Sequence, residues 1–243
     1  MRQPLRIALL ATCAFLVILL ARLPASWVVP RSGTLACGSV EGSVWSGACG
    51  GLTLARAPWG DLTWDIAPLR LLTGTLAAHV VLRNGPVTAS ADLARGLGGS
   101  LEARNLVADL ALDPRKLPHM PPQLRGTLHT DLALVRLARG AIVELKGRIE
   151  ARDLTRRTGH VTQLGSYALS FAGGAGAPLG TLVDLGGPLA VAGTLRLTSQ
   201  PGYVLEGQLA PRASASPELL GDLQFLGSPD AAGRRSFSVA GTL

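Results

Sequence analysis

Beyond residue 30 the chain alternates apolar and polar positions with a period of two. In residues 87–94, Val87, Ala89, Ala91 and Leu93 share one face while Thr88, Ser90 and Asp92 share the other. In residues 203–210, Tyr203, Leu205 and Leu209 oppose Glu206 and Gln208, and in residues 236–243, Phe237, Val239 and Leu243 oppose Ser236, Ser238 and Thr242. Such alternation, apolar on one side only, is the pattern of half-buried antiparallel strands. Many segments open on glycine, a small or polar residue and then leucine or isoleucine, as in Gly74-Thr75-Leu76, Gly126-Thr127-Leu128 and Gly193-Thr194-Leu195. Turn signals such as Asn84-Gly85-Pro86 and Gly186-Gly187-Pro188 separate them. The pattern predicts a mainly β fold, a curled antiparallel meander of about ten to twelve strands.

Two segments break the period. Leu219, Leu220, Leu223 and Leu226 fall on one helical stripe, with Ser216 placed as N-cap, Pro217 at the first helical position, Gly227 just past the end and Pro229 beyond it. This predicts a short amphipathic helix that lays its leucines on the sheet just before the final strand. At the other end of the chain, Arg2 and Arg6 precede an uncharged run, residues 7–21, with Leu, Ile, Val or Phe at nine positions. Membrane insertion of such a run is favoured by about 3–5 kcal/mol. A tilted span can extend to Val29, with Arg22 snorkelling and Trp27 at the interface. The competing reading is a signal peptide cut after Leu23-Pro24-Ala25, where leucine stands at the position that favours a small residue. The retained anchor divides the chain into residues 1–29, a cytoplasmic stub and transmembrane helix, and residues 30–243, a periplasmic β domain. Flanking arginines put the N-terminus in the cytoplasm, so the expected location is the inner membrane, single-pass.

An oxidising compartment gives the cysteines a meaning. Cys37 and Cys49 flank a glycine-rich stretch and pair naturally as a disulfide, against the alternative of two buried thiols on adjacent strands. A metal site there would need further ligands, which the neighbouring sequence lacks. Cys13 lies in the apolar run.

Composition narrows the function classes. With 47% hydrophobic and 16% charged residues the chain is not of the disordered type. The net charge of +7 comes from arginines scattered along the chain, without the basic footprint and interleaved aromatics that nucleic acid requires. Only 4% of residues are aromatic, too few for the two girdles of a membrane-spanning barrel. His79, His119, His129 and His160 have no metal-ligand spacing, and His79 and His129 fall on outward strand positions. No nucleophile elbow, phosphate loop or dinucleotide fingerprint is present. The expectation is a non-enzymatic protein with no cofactor, no small-molecule substrate and no nucleic-acid partner.

Leu23-Pro24-Ala25-Ser26-Trp27, Gly42-Ser43-Val44-Trp45-Ser46-Gly47, and the run Leu62-Thr63-Trp64-Asp65-Ile66-Ala67-Pro68-Leu69-Arg70-Leu71-Leu72-Thr73-Gly74-Thr75-Leu76 together resemble the N proteins of the bacterial type II secretion system. The C-terminal features Gly202-Tyr203, Phe225-Leu226-Gly227-Ser228-Pro229-Asp230 and Gly233-Arg234 are similar to the end of the same family. The positions that carry the resemblance include Trp45, Gly47, Trp64, Pro68, Gly74, Tyr203, Gly227 and Pro229. It implies a bitopic inner-membrane protein whose periplasmic domain works near the inner-membrane platform and the outer-membrane secretin. From the residues alone, Trp45 and Trp64 read as large groups anchoring the first hairpins. The final strand, with Ser236, Phe237, Val239 and Leu243, is the candidate edge for a partner. One short helix cannot cover so long an apolar face, so the rest must roll into a groove or meet a partner. The strand grammar therefore also resembles AsmA-like periplasmic proteins, whose curled sheets are associated with lipid handling.

Overall fold

The computed structural model describes Thr12, Phe15 and residues 18–29, 33–55, 57–96, 98–113, 122–174, 176–198 and 202–242. Most of the apolar run, Cys13, His119 and Leu243 lie outside the described residues. Among the described residues no helix is long and apolar enough to cross a membrane.

The described chain forms one antiparallel sheet of 14 strands: β1 (Leu35–Ala36), β2 (Ser39–Gly42), β3 (Ser46–Leu54), β4 (Ala57–Ile66), β5 (Thr75–Arg83), β6 (Val87–Gly96), β7 (Leu101–Leu112), β8 (Leu124–Ala138), β9 (Ala141–Arg157), β10 (Val161–Ala172), β11 (Leu179–Asp184), β12 (Leu189–Thr198), β13 (Gly202–Pro211) and β14 (Arg235–Thr242). From β3 onward each strand pairs with the next, and β1 and β2 both pair with β3. The count exceeds the sequence expectation, in part because β1 and β2 have 2 and 4 residues, too short to display an alternation. Turns after β2, β4, β6, β8, β10 and β12 lie at one end of the sheet, and those after the odd-numbered strands from β3 onward lie at the other.

Register converts the period of two into two chemically distinct faces. One cross-strand row runs Val40, Cys49, Leu62, Leu82, Ala89, Ala108, Thr130, Ile149, Leu169, Leu182, Gly193, Gly207 and Phe237, with Thr130 its one polar side chain. The adjacent row on the opposite face runs Thr63, Val81, Ser90, Val107, Asp131, Arg148, Ser170, Thr181, Thr194, Glu206 and Ser238. A one-residue slip anywhere would exchange the faces, which is why the register is strongly specified. Bulges in β3, β4, β7, β8, β9 and β10 add local twist.

Apart from β10 against β12, the strands make extensive contact only with their sheet neighbours. No second sheet therefore covers the apolar face among the described residues. Its buried residues gather into three clusters: Cys37, Cys49 and Leu52 at the first strands, Leu132, Val135, Leu145, Phe171 and Leu197 in the middle, and Leu189, Val191, Leu219 and Leu223 at the end.

The helix is seated where its sequence signals place it. Helix α1 (Pro217–Leu223) starts at Ser216, whose hydroxyl accepts from the Leu219 amide at 3.3 Å, and continues as a 3-10 turn over Gln224–Leu226. Leu219 and Leu223 pack against Leu189, Val191, Leu164, Leu182, Leu209 and Phe237. The buried stripe is narrower than the sequence suggests, because Leu220 and Leu226 remain 43% and 39% exposed. Polar contacts hold the other side: the Thr162 hydroxyl donates to Glu218 at 2.9 Å, and Arg156 pairs with Asp222.

Candidate interaction surfaces

At the start of the sheet, Cys37 and Cys49 are joined by a disulfide with their Cα atoms 5.5 Å apart. Both are buried, and Leu62, Trp59, Trp64 and Val40 pack around them. The two tryptophans of the hairpin motifs serve different ends. Trp64 joins this cluster and donates its indole N–H to the Val44 carbonyl at 3.0 Å. Trp45 instead reaches out of the sheet and donates to the Leu20 carbonyl at 2.7 Å, while the Val44 amide donates to Leu23 at 2.9 Å. Residues 20–24 are thereby clamped to the β2–β3 hairpin, an arrangement completed by a bridge between Pro24 and Ser43. Anchoring the hairpin to its own core describes Trp64, whereas Trp45 ties it to the segment leaving the apolar run.

Glycines of the apolar face make room for its aromatics. Trp64 lies opposite Gly47, Phe171 opposite Gly180, Phe237 opposite Gly207 and Tyr203 opposite Gly241. A methyl group on any of these glycines would come within 2.6–2.9 Å of the facing ring. Each ring therefore lies across its glycine neighbour, as in the aromatic cover of strand glycines. The sequence contains both residue types, but their pairing depends on register between strands and is invisible along the chain.

The other quoted positions are local devices. Pro68 opens the 3-10 turn Pro68–Thr73, which Gly74 terminates with φ of 73°, a conformation costly for a residue with a Cβ. Gly227, with φ of 85°, ends the turn after α1, and Pro229 follows in the exposed connection to β14. Among the described residues β14 pairs with β13 alone, and its other edge is unpaired. Ser236 and Ser238 are exposed, Phe237 packs beneath α1, and Val239 is 47% exposed.

The polar face carries cross-strand histidine–aspartate hydrogen bonds. His79 Nδ1 lies 2.7 Å from Asp92, and His129 Nδ1 lies 2.7 Å from Asp109, each pair directly opposite in register. Asn105, held at φ of 50° in a bulge, donates its amide to Asp92 at 2.9 Å. His79, Asp92, Asn105, Arg70 and Asp65 border a recess of about 660 Å³. No group of three or more metal-ligating side chains occurs among the described residues.

Residues 33–238 match the family model of type II secretion system protein N. The chain belongs to that family. No curated protein and no solved structure matches it. The matched span takes in the disulfide, three of the four aromatic–glycine pairs (all but Tyr203–Gly241), and α1. A protein N is a component of type II secretion, and other proteins of that system are its partners.

The carboxylates of the chain respond to acid in a defined sense. Hydrogen bonds from the Asn84 side chain and the Gly51 amide hold Asp61 below the ordinary 3.8, and hydrogen bonds from Asn105 and His79 do the same for Asp92. A pKa depressed by folding contributes stability that is complete above the unfolded value and is lost as pH falls through the folded one. The melting temperature should accordingly be flat between about pH 7 and 5 and decline below about pH 4. Circular dichroism melts across this range provide the check, and a curve still level at about pH 3 would contradict it.

Proposed function

We propose that the chain is a non-enzymatic, single-pass inner-membrane component of type II secretion whose periplasmic domain helps link the inner-membrane platform to the outer-membrane secretin. In this reading residues 1–29 are the cytoplasmic stub and anchor, and residues 30–243 are the periplasmic β domain. The observation that carries it, beyond family membership, is the edge of β14 left unpaired among the described residues, a long strand that ends the sheet opposite the short β1 and β2. An eight-residue strand with an unpaired edge offers main-chain hydrogen bonds to an extended segment of another protein. Photo-crosslinkers at Ser236 and Ser238 in intact cells should yield adducts with the secretin or a platform protein. Recovery of neither would reject the linking role.

One observation favours a second reading, an AsmA-like role in lipid handling. The apolar face runs across the whole sheet, with Thr130 the one polar side chain of its central row, and α1 covers only its β10–β14 part. Adducts formed only with lipid, from crosslinkers at Leu82 and Ala108, would favour that alternative.

A further inference from the structure

The turn joining β4 to β5 presents leucines to solvent. All six residues of Pro68–Thr73 are exposed, with Leu69 at 78%, Leu71 at 43% and Leu72 at 86%. The backbone of this turn is well satisfied: the Arg70 amide donates to Ala67 at 3.2 Å, the Gly74 amide donates to Leu71 at 3.0 Å, and the Thr73 hydroxyl donates to Arg70 at 2.8 Å. An ordered turn that directs three leucines outward and contains no acidic residue departs from the polar, glycine-rich chemistry of water-facing turns.

Its position in the fold supplies the occupant. The Ile66 amide, at the end of β4, donates to the Trp45 carbonyl at 2.6 Å, and the Trp45 indole donates to Leu20 at 2.7 Å. The leucines therefore stand at the end of the sheet where the chain arrives from the apolar run of residues 7–21. In the 3-10 turn that follows the clamped segment, Ala25–Trp27, and at its C-cap, Trp27 and Val28 are 75% and 62% exposed. Aromatic and aliphatic side chains exposed together beside a hydrophobic run match the chemistry of a bilayer interface, with Arg70 as a cation for lipid phosphate.

We infer that the Pro68–Thr73 turn is a membrane contact: Leu69, Leu71 and Leu72 enter the boundary between headgroups and acyl chains of the bilayer that holds residues 7–21. This rests on the anchor reading above. Together with the Trp45 clamp, the contact sets that end of the sheet against the membrane and directs the opposite end, with α1, away from it.

The test uses the full chain with Cys13→Ser, which leaves only the disulfide cysteines, reconstituted in vesicles of phosphatidylethanolamine and phosphatidylglycerol. An environment-sensitive nitrobenzoxadiazole probe is attached in separate samples at Leu72→Cys, at Leu19→Cys in the apolar run, and at Thr158→Cys in the turn after β9, at the far end. The expected result is blue-shifted emission and quenching by brominated acyl chains at 72 and 19, with neither at 158. Quenching at 19 but not at 72 would overturn the contact while the anchor stands; quenching at neither would remove the anchor and the contact together. A blue shift at 72 without bromine quenching would place the leucines against a second copy and overturn the inference, as would equal quenching at 72 and 158.

Discussion

Replacing Phe237 by alanine should destabilise the C-terminal end of the sheet by about 2–3 kcal/mol, below the 3–5 of a fully buried ring because Phe237 is only half-buried. The ring lies across Gly207 and forms part of the seat of Leu219 and Leu223, so its removal both uncovers a strand glycine and loosens α1. Because strands contact mainly their sheet neighbours, the damage should stay local. Amide exchange should accelerate in β12–β14 and α1 and remain unchanged in β4–β6. All four tryptophans, at 27, 45, 59 and 64, report on the opposite end of the chain, so the tryptophan fluorescence melt should barely move. Equal acceleration throughout the sheet would show that it melts as one unit and refute the local account.

Substituting Cys37 and Cys49 together by alanine is the mirror experiment. The bridge closes a loop with a sequence separation of 12, for which the chain-entropy model gives about 3 kcal/mol. Both cysteines lie in the cluster beneath Trp59 and Trp64, so the loss falls on the hairpin that also carries the Trp45 clamp. Here the tryptophan fluorescence transition should shift to lower temperature while exchange in β12–β14 is preserved. An unchanged tryptophan melt in the double variant would mean that the hairpin is held by its packing alone.

The two variants test whether the sheet is divided into nearly independent ends. A linker between membrane systems would gain from such a division, since an event at the β14 edge need not unfold the end clamped to residues 20–24.

Local signals along the chain were sufficient for several features. Ser216 and Pro217 mark the start of α1 because capping involves only residues a few positions apart. The alternation at 87–94 and 203–210 is legible because side chains of a strand point to opposite faces whatever the strand pairs with. The resemblance to the family, too, was legible along the chain, in short motifs around Trp45, Trp64 and Gly227. Tertiary structure alone decided what those residues do. Whether Trp45 joins a core or grips Leu20, whether His79 meets Asp92, and which glycine each aromatic covers all depend on register between strands, and bulges such as the one at Asn105 shift that register by a residue. The exposure of Leu69 and Leu72 is of the same kind. A 3-10 turn at the end of the sheet meets no second layer among the described residues to bury them against, which only the three-dimensional arrangement shows.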